Sequence, residues 1–348
     1  MRVMVTGAAG FIGRHVVSTL LEHGHKVVGL DAFVPTAHPQ ARATADVKHV
    51  DVRDAEALAP LLEGVDVVCH QAALVGTGVD ASDLPSYAGH NDLGTAVLLA
   101  AMYRANVRRL VLGSSMVVYG EGSYRCPLHG SVSPRPRRVE DLRARRFEVL
   151  CPVCGQDLGW ELVDEQAPLR PRSGYAASKV AQEHFSLAWS LQTESAVVAL
   201  RYHNVYGPQM LGDSPYAGVA AGFRSALERG QSPLVFEDGR QTRDFIHVDD
   251  VASANRLALL STETQQGGTF TAYNVCSGHP RSVGDVAALL STGHSNDLKP
   301  KITGTVRSAD VRHVVASPER ARTDLGFTAA VHPDDGIPAF AHAPLRKP

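Results

Sequence analysis

The 348-residue chain has few aromatic residues, few cysteines and almost no net charge. Aromatic residues make up 6% of the sequence, which contains 5 cysteines and carries a formal net charge of −2. So few cysteines in a chain of this length do not build a disulfide scaffold. A balanced charge gives no field that draws the chain to nucleic acid or to a membrane surface. A run of about 18 apolar residues, which a membrane-spanning helix needs, is also missing. These absences leave a globular protein as the expected class.

The chain opens with the order of elements that binds dinucleotides. The apolar run 3–5 predicts a buried parallel strand, the turn TGAAGFIG follows at 6–13, and apolar residues spaced along 16–21 predict a helix. A second apolar strand at 26–30 ends in Asp31. Glycines let the backbone approach a pyrophosphate at the helix N-terminus, and the acid binds ribose hydroxyls while repelling a 2′-phosphate. The unit therefore predicts NAD rather than NADP. Its predicted contacts are Gly7, Gly10, Phe11, Ile12, Gly13 and Asp31.

Further strands alternate with helices, and small or polar residues follow each one. The apolar runs at 47–50, 65–69 and 109–112 predict strands whose ends place such residues at one edge of a parallel sheet. The expected fold is therefore α/β, a doubly wound Rossmann-type sheet. The glycine spacing G-x-x-G-x-x-G differs from the G-x-G-x-x-G of the commonest dehydrogenases, so a glycine-rich turn without a ligand stays as the alternative. No signal-like segment precedes the first strand, and a cytoplasmic location is expected.

A tyrosine and a lysine stand four residues apart in Tyr175-Ala-Ala-Ser-Lys179. On a helix the two side chains share a face, and the ammonium favours the phenolate, which lowers the pKa of the tyrosine from about 10. Such a tyrosine can accept a proton near neutral pH. Beside a nicotinamide, it can take the proton of a sugar hydroxyl while hydride leaves the same carbon. The pattern alone also fits an ordinary surface helix, so its weight comes from the dinucleotide unit upstream.

An ordered set of motifs runs through most of the chain. Its members are Gly7/Gly10/Gly13, Asp31, Asp51-Val52, Ala72-Ala73, Asn91-x-x-Gly94-Thr95, Ser115 with Val118-Tyr119-Gly120, Tyr175/Lys179, Arg201-Tyr202-x-Asn204-Val205-Tyr206-Gly207-Pro208 and Arg243-Asp244-Phe245-Ile246-His247-Val248-x-Asp250-Val251. Together they resemble the extended short-chain dehydrogenase/reductase family, specifically its nucleotide-sugar epimerases and dehydratases. The resemblance covers nearly the whole chain, apart from an insert near 120–165 and the residues after about 330.

The resemblance implies a role for each matching residue. Ser115 would hydrogen-bond the substrate hydroxyl, Tyr175 would act as base and then acid, and Lys179 would hold the nicotinamide ribose and tune the tyrosine. Additional cofactor contacts are expected at Asp51, Val52, Ala72, Ala73 and Asn91. Substrate contacts are expected at Ser115, Met116, Asn204, Arg243 and Arg307. The two arginines suit a diphosphate because a guanidinium can bond phosphate oxygens bidentately, although solvated surface charge is the alternative for both. His203 replaces the phenylalanine common in this motif, and we interpret it as a packed histidine.

Departures from the family pattern narrow the expected reaction. The 4,6-dehydratases that this chain resembles carry Asp-Glu after the Ser or Thr of the triad, whereas Met116 and Val117 stand here. Neither can move a proton, and the Glu that decarboxylases carry at the Val117 position is absent too. Epimerisation at C4 remains, through a 4-keto sugar with NAD regenerated in each turnover. A keto-sugar reductase, which would consume cofactor, and a non-catalytic NAD-sensing protein are the alternatives.

An insert separates Ser115 from Tyr175, which lie 60 positions apart. It contains two C-P-x-[H/C]-G motifs, whose three sulfurs and one imidazole fit a tetrahedral Zn²⁺. The predicted ligands are Cys126, His129, Cys151 and Cys154. With all four positions used, the zinc would be structural, and it is expected to stiffen a flap over the substrate. Unrelated cysteines, a redox-active C-x-x-C and a chain devoted mainly to partner binding are the alternatives.

The chain is expected to divide into three parts. Residues 1–200 form the NAD-binding domain with its insert at about 120–165, and residues 201–330 form most of a smaller, discontinuous mixed α/β domain for the nucleotide sugar. Residues 331–348 are rich in proline and alanine and are expected to form a loose tail. The helices over 91–103 and 175–191 resemble the pair that joins family dimers, so a homodimer is expected. The sequence leaves the base open between UDP and dTDP, and it leaves the sugar open.

Overall fold

The computed structural model describes residues 1–35, 47–76, 80–212, 218–294, 298–307 and 310–346. Its strands are β1 (Arg2–Thr6), β2 (Lys26–Asp31), β3 (Val47–His49), β4 (Val67–His70), β5 (Arg109–Ser115), β6 (Ser123–Cys126), β7 (Gly130–Val132), β8 (Gly159–Glu161), β9 (Ala196–Tyr202), β10 (Asn204–Tyr206), β11 (Leu234–Val235), β12 (Thr242–Arg243), β13 (Phe245–His247), β14 (Thr269–Val275), β15 (Arg281–Ser282), β16 (Lys301–Ile302) and β17 (His313–Val314). Its helices are α1 (Phe11–Glu22), α2 (Ala55–Leu58), α3 (Leu84–Tyr87), α4 (Gly94–Arg104), α5 (Val139–Arg143), α6 (Gly174–Thr193), α7 (Val219–Glu228), α8 (Val248–Ser261), α9 (Val283–Gly293), α10 (Glu319–Leu325) and α11 (Pro333–Phe340).

A parallel sheet of seven strands forms the centre of the first domain. Its order is β14-β9-β5-β4-β1-β2-β3, and all its neighbours run parallel. From β1 the chain first adds strands in one direction and then continues from β4 in the other. This reversal creates the crevice at the carboxyl ends where ligands bind in such sheets. The predicted doubly wound α/β fold is confirmed.

The strands are apolar on both faces because helices cover both sides. In β1, Val3 and Val5 pack with α1, α8 and α10, while Met4 packs on the opposite face with α2 and α4. All three side chains are fully buried. The alternation follows from the two-residue period of a strand. The continuous apolar run at 3–5 therefore indicates a strand that is buried between two layers of helices.

The second domain is assembled from separated segments. Small sheets pair β10 with β13, β11 with β16, and β12 with β15 and β17. Helices α7, α9 and α11 pack around a third core cluster. By contrast, β14 returns to the main sheet beside β9, and α8 packs against α1. The chain thus passes more than once between the main sheet and these small sheets.

Residues 333–346 are not loose, which differs from the tail expected after 331. Pro333 and Pro338 lie within α11, and Ile337 and Phe340 are buried in the third core cluster. Pro333 lies in the first turn, where proline is compatible with a helix, whereas Pro338 lies in the helix interior. The Pro- and Ala-rich composition concealed an amphipathic element. Beyond the helix, Arg346 donates its backbone N–H to the Met210 carbonyl oxygen at 2.9 Å. The last two residues lie outside the described part.

Among the residues described, no helix has both the length and the apolar composition needed to cross a bilayer.

Candidate active site

One cavity of about 1400 Å³ lies at the carboxyl edge of the main sheet and extends under the second domain. A single drug-sized ligand needs about 300–1,000 Å³, so this cavity has room for a cofactor and a substrate together. Residues from both domains line it. The predicted residues on its wall are Gly7, Gly10, Phe11, Ile12, Gly13, Asp31, Asp51, Val52, Ala72, Ala73, Ser115, Met116, Tyr175, Lys179, Asn204, Arg243 and Arg307.

The glycine turn after β1 leaves no room for side chains. Gly7 has φ of 66°, and a Cβ there would lie 2.8 Å from the backbone nitrogen of Ala72. A Cβ on Gly13 would collide with the Gly7 carbonyl oxygen, so this glycine permits close packing of α1 on the turn. Gly10 is the N-cap residue of α1, and no side chain caps the helix there. The free N–H groups and the helix dipole therefore fit the pyrophosphate of a dinucleotide.

Asp31 shapes this turn and reaches the cavity. Its carboxylate accepts hydrogen bonds from the backbone of Ala9 at 3.1 Å and of Phe33 at 2.8 Å. The side chain is buried at the end of β2, at the carboxyl edge of the main sheet. Asp51, farther along the wall, forms an ion pair with Arg53 at 2.6 Å, and that pair lowers the pKa of the Asp51 carboxyl.

The predicted catalytic residues converge on one part of the wall. Ser115 ends β5, and Tyr175 lies in the first turn of α6, which begins after Ser173 caps the backbone N–H of Ala176 at 3.2 Å. One turn later, Lys179 donates from Nζ to the Gly113 carbonyl oxygen at 2.8 Å. Its Nζ lies 6.0 Å from the centre of the Tyr175 ring.

The protein alone does not lower the pKa of Tyr175, contrary to the sequence-based expectation. Burial raises the pKa of Tyr175, and a hydrogen bond with Ser115 opposes that effect. The lysine ammonium is engaged by a backbone carbonyl, and burial lowers the pKa of Lys179 to about 8. A low tyrosine pKa therefore requires a further positive charge beside the phenol.

Asn91, predicted as a cofactor contact, lies behind the cavity wall. It is fully buried in a π-helical turn, Ala88–Leu93. Its amide accepts from the Leu74 backbone N–H at 2.7 Å, and it donates to the Leu74 carbonyl oxygen at 3.0 Å and to Ser178 at 2.8 Å. Asn91 thus fastens the loop after β4 to the helix that carries Tyr175 and Lys179, and it positions the site from behind.

Of the predicted substrate residues, Ser115 and Met116 lie at the end of β5, whereas Asn204, Arg243 and Arg307 come from segments after residue 200. Arg243 donates from Nη2 to the Val311 carbonyl oxygen at 2.6 Å and from Nη1 to that of Arg312 at 2.8 Å. Arg307 stacks over the Phe236 ring, with 4.6 Å between its guanidinium carbon and the ring centre. The side-chain oxygen of Asn204 is buried without a hydrogen-bond partner among the described residues. Such a group suits a polar ligand.

Arg172 and Arg346 carried no sequence signal that we recognised as functional, and His203 was interpreted as a packed histidine although it lies in a motif. His203 is 4% exposed and lines the cavity, and burial lowers its pKa to about 3, so the ring is neutral. Arg172 lies near Glu121 at 3.8 Å. Arg346 donates to the Ala9 carbonyl oxygen at 3.3 Å, beside the glycine turn. Only the fold could reveal this position, since a lone arginine after a Pro-rich stretch belongs to no motif.

The four predicted metal ligands meet at one point outside this cavity. All four donor atoms lie within 4.8 Å of one another. Cys126 Sγ lies 3.3 Å from His129 Nδ1 and 3.7 Å from Cys154 Sγ, and Cys151 Sγ lies 3.7 Å from His129 Nδ1. With Zn–S bonds of about 2.3 Å, a tetrahedral site has sulfur–sulfur edges of about 3.8 Å. The cluster therefore already has nearly the size of a zinc site, and its sulfurs are too far apart for a disulfide.

Comparison with known proteins matches the chain to one family model. The model described as the NAD dependent epimerase/dehydratase family aligns with residues 3–139 and 153–276. The interruption between these ranges, residues 140–152, falls within the insert and includes Cys151, whereas Cys154 lies in the second matched range.

Curated relatives cover nearly the whole chain. A dTDP-L-rhamnose 4-epimerase of Burkholderia thailandensis is 33% identical over 94% of this chain and 90% of its own. A UDP-glucose 4-epimerase of Corynebacterium glutamicum is 29% identical over 94% of this chain and 91% of its own.

A solved structure has a similar fold along its whole length. The Thermus thermophilus UDP-glucose 4-epimerase in complex with NAD has a TM-score of 0.77 and is 28% identical, with 98% of each chain covered.

Proposed function

The chain belongs to the NAD-dependent epimerase/dehydratase family, and on that premise we propose that it inverts C4 of a nucleotide-diphosphate sugar through a transient 4-keto sugar. One observation carries the proposal. Ser115, Tyr175 and Lys179 line one cavity with the glycine turn, while Met116 and Val117 supply apolar walls beside them. Tyr175 is then the proton-transferring group of the triad, and no side chain at 116 or 117 can move a second proton for elimination.

NAD fits the first half of the cavity. The uncapped N-terminus of α1 would hold its pyrophosphate, Asp31 its adenosine ribose, Asp51 and Val52 its adenine, and Lys179 its nicotinamide ribose. When bound, NAD supplies an acceptor and then a donor for the C4 hydride, and its cationic oxidised ring supplies the positive charge that Tyr175 lacks in the protein alone.

The chain's own residues handle the proton. Tyr175 Oη accepts the proton of the C4 hydroxyl as the ketone forms, and it returns that proton when the ketone is reduced on the other face. Ser115 donates a hydrogen bond to the same oxygen and polarises the ketone. The proton taken up in the first half-reaction is released in the second, so the chain and the cofactor end each turnover unchanged.

The second domain binds the nucleotide diphosphate. Arg243 and Arg307 would contact the phosphates, and the amide of Asn204 would meet the same diphosphate. The 33% identity to a dTDP-L-rhamnose 4-epimerase over 94% of this chain makes dTDP-L-rhamnose the first substrate to test. UDP-hexoses follow, since UDP-glucose 4-epimerases are also similar over the whole chain.

The test is incubation in deuterated water with NMR detection of the sugar protons. Purified protein is given dTDP-L-rhamnose, UDP-glucose, UDP-N-acetylglucosamine or UDP-glucuronate, without added NADH. We expect a C4 epimer of one of them with no deuterium on carbon, since the hydride returns within the enzyme. Deuterium at C3 or C5 would contradict simple C4 chemistry. Net consumption of NADH with a keto-sugar substrate would instead support the reductase alternative.

We also propose that Cys126, His129, Cys151 and Cys154 hold one structural Zn²⁺. The support is the convergence of the two C-P-x-[H/C]-G motifs, called knuckles below, from separate parts of the insert. Each knuckle ends in a glycine of positive φ, 68° at Gly130 and 74° at Gly155, as a tight ligand-bearing turn requires. Metal analysis of the purified protein should give one zinc per chain. Cys154→Ser should reduce that content, whereas Cys276→Ser should not.

A homodimer through α4 and α6 completes the proposal. The two helices pack on each other, and both present apolar side chains to solvent, with Tyr103 53%, Phe185 46% and Leu191 63% exposed. Exposed apolar groups on adjoining helices favour a protein partner. Sedimentation equilibrium should give twice the chain mass, and Phe185→Glu should shift it to the monomer.

A further inference from the structure

Side chains of the insert form hydrogen bonds with one short segment of the second domain, residues 310–313. Arg137 donates from Nη2 to the Asp310 carbonyl oxygen at 2.8 Å. The Tyr124 hydroxyl accepts from the His313 backbone N–H at 3.1 Å. Each contact joins an insert side chain to the backbone of the segment, so the position of the segment depends on the insert.

Buried charges strengthen this junction. Arg312 is fully buried and pairs with Glu148 of the insert at 2.5 Å and with Glu237 at 2.9 Å. Arg137 makes a two-pronged pair with the same Glu237, at 2.8 and 2.9 Å. Arg312 also pairs with Asp238 at 2.7 Å, so removing Glu148 or Arg137 leaves the remaining charges partnered but takes one member out of a buried network, whose breaking is costly. The insert side chains are therefore integral to the packing around Arg312.

This segment in turn positions Arg243 through hydrogen bonds and strand pairing. The guanidinium of Arg243 donates to the carbonyl oxygens of Val311 and Arg312, and β12, which carries Arg243, pairs in parallel with β17 at His313 and Val314. The direction of the Arg243 side chain into the cavity is therefore set by residues 311–314.

The metal ligands lie close in sequence to two of the insert side chains that make these contacts. Tyr124 lies two residues before Cys126 on β6, and Glu148 lies three residues before Cys151. The core of the insert is small and contains two of the ligands themselves, together with Tyr124, Val149 and Leu158. A core of this size depends on its metal for a fixed structure.

We infer that the zinc knuckle is a brace for substrate binding: by fixing residues 310–313, it orients Arg243 toward the diphosphate of the nucleotide sugar. This rests on the proposed function, since a nucleoside diphosphate must bind at Arg243. Arg137 and Glu148 are then positioning residues that act through Arg243. The glycine turn and Asp31 belong to the other end of the cavity. Loss of the brace therefore weakens nucleotide binding and leaves the NAD content of the protein unchanged.

The test is calorimetric titration of the full-length, NAD-containing protein with UDP and with dTDP. The variants are Arg137→Ala and Glu148→Gln, and the matched control is Arg135→Ala, an exposed arginine two positions from Arg137. Wild-type protein is also measured after chelation and after zinc is added back. Zinc and NAD contents are determined for every sample.

We expect Arg137→Ala and Glu148→Gln to retain zinc and NAD and to bind the nucleotide at least tenfold more weakly, with Arg137→Lys partly restored. Arg135→Ala should match the wild type. Chelation should weaken binding to a similar degree, and zinc but not magnesium should restore it. Unchanged affinity in both variants, or in the chelated protein, would overturn the brace.

The outcomes separate the brace from the proposed reaction. Weakened nucleotide binding without any epimer in the NMR experiment overturns the reaction and leaves the brace. Epimer formation together with unchanged binding in the variants overturns the brace and leaves the reaction. A wild-type protein that binds neither UDP nor dTDP contradicts the role of Arg243 and therefore the brace.

Discussion

Lys179 donates a hydrogen bond to the carbonyl oxygen of Gly113, 2.8 Å away, in the middle of the strand that ends at Ser115. This bond anchors the catalytic helix to the strand beside it. It also fixes the ammonium 6.0 Å from the centre of the Tyr175 ring, close enough to influence the phenol by charge. The lysine therefore connects the two elements that carry the catalytic residues.

Tyr175→Phe should abolish most of the activity without loss of cofactor. Removal of the proton-transferring group costs about 100- to 10,000-fold in rate, and the remaining ring preserves the packing. Turnover is measured by NMR, and bound NAD by its release on denaturation. Tyr103→Phe, at an exposed tyrosine of α4, is the matched control. A Tyr175→Phe enzyme within tenfold of the wild type would contradict the assigned role.

The rate should fall as pH rises through about 8. Burial lowers the pKa of Lys179 to about 8, so the ammonium is charged below that pH and neutral above it. A neutral lysine no longer stabilises the Tyr175 phenolate, and kcat declines. Lys179→Arg provides the control because a guanidinium keeps its charge up to about pH 12. The kcat of Lys179→Arg should be lower than that of the wild type but should not decline near pH 8. If both enzymes show the decline, Lys179 is not the group that causes it.

Asp31→Asn should reduce the retention of NAD and its preference over NADP. The amide still has one oxygen for the Ala9 or Phe33 backbone, but the charge that attracts ribose hydroxyls is gone. Loss of a charged hydrogen bond of this kind costs about 1.5–3 kcal/mol, which corresponds to about a 10- to 100-fold weaker complex. Affinities for both cofactors are measured on protein stripped of nucleotide. An unchanged ratio of the two would show that Asp31 does not set the preference.

Arg243→Lys should raise KM for the nucleotide sugar by about tenfold or more, with kcat nearly unchanged. A lysine keeps the charge but not the planar fork that spans two carbonyl oxygens and a phosphate. Arg240→Ala, an exposed arginine three positions away, is the control. A fall in kcat with constant KM would place Arg243 at the reacting carbon instead.

Gly13→Ala should destabilise the fold and release NAD. The added Cβ would collide with the carbonyl oxygen of Gly7, and overpacking of this kind costs about 1–3 kcal/mol. Gly222→Ala is the control, since a Cβ on that helical glycine meets no atom within 4 Å and alanine favours a helix by about 1 kcal/mol. Thermal unfolding of the two variants should shift in opposite directions. A Gly13→Ala protein as stable as the wild type would contradict the steric account.

Patterns within a few residues of sequence predicted the cavity-lining residues better than the long-range contacts that position them. Spacing alone identifies the glycine turn from Gly7 to Gly13 and the pair Tyr175 and Lys179. This works because the periods of strands and helices fix the directions of side chains that are close in sequence. Each half of the Cys/His cluster is also a local pattern, whereas the meeting of the two halves is not, and zinc binding there stays a prediction.

Contacts between distant segments could not be read from the sequence. Arg137 and Glu237 lie 100 positions apart. Arg137 belongs to the basic run Arg135-Pro-Arg-Arg138, whose composition alone favours a solvated surface. The role of Asn91 was misplaced for a similar reason, since its motif identifies the residue but not the side of the wall on which it lies. The Tyr175 pKa depends on burial and on where the lysine bonds, and neither follows from four-residue spacing.

Because β14 pairs with β9, the main sheet can be completed only late in the synthesis of the chain. Thr269 pairs with Ala196 and Val275 with Tyr202, so the main sheet gains its last strand only after most of the second domain has been made. Until then β9 presents an open edge whose first five residues are apolar, which is a template for aggregation. A fragment that stops near residue 200 therefore keeps the nucleotide-binding turn but exposes that edge. Attempts to express the first domain alone should yield insoluble material unless residues 248–325 are supplied with it.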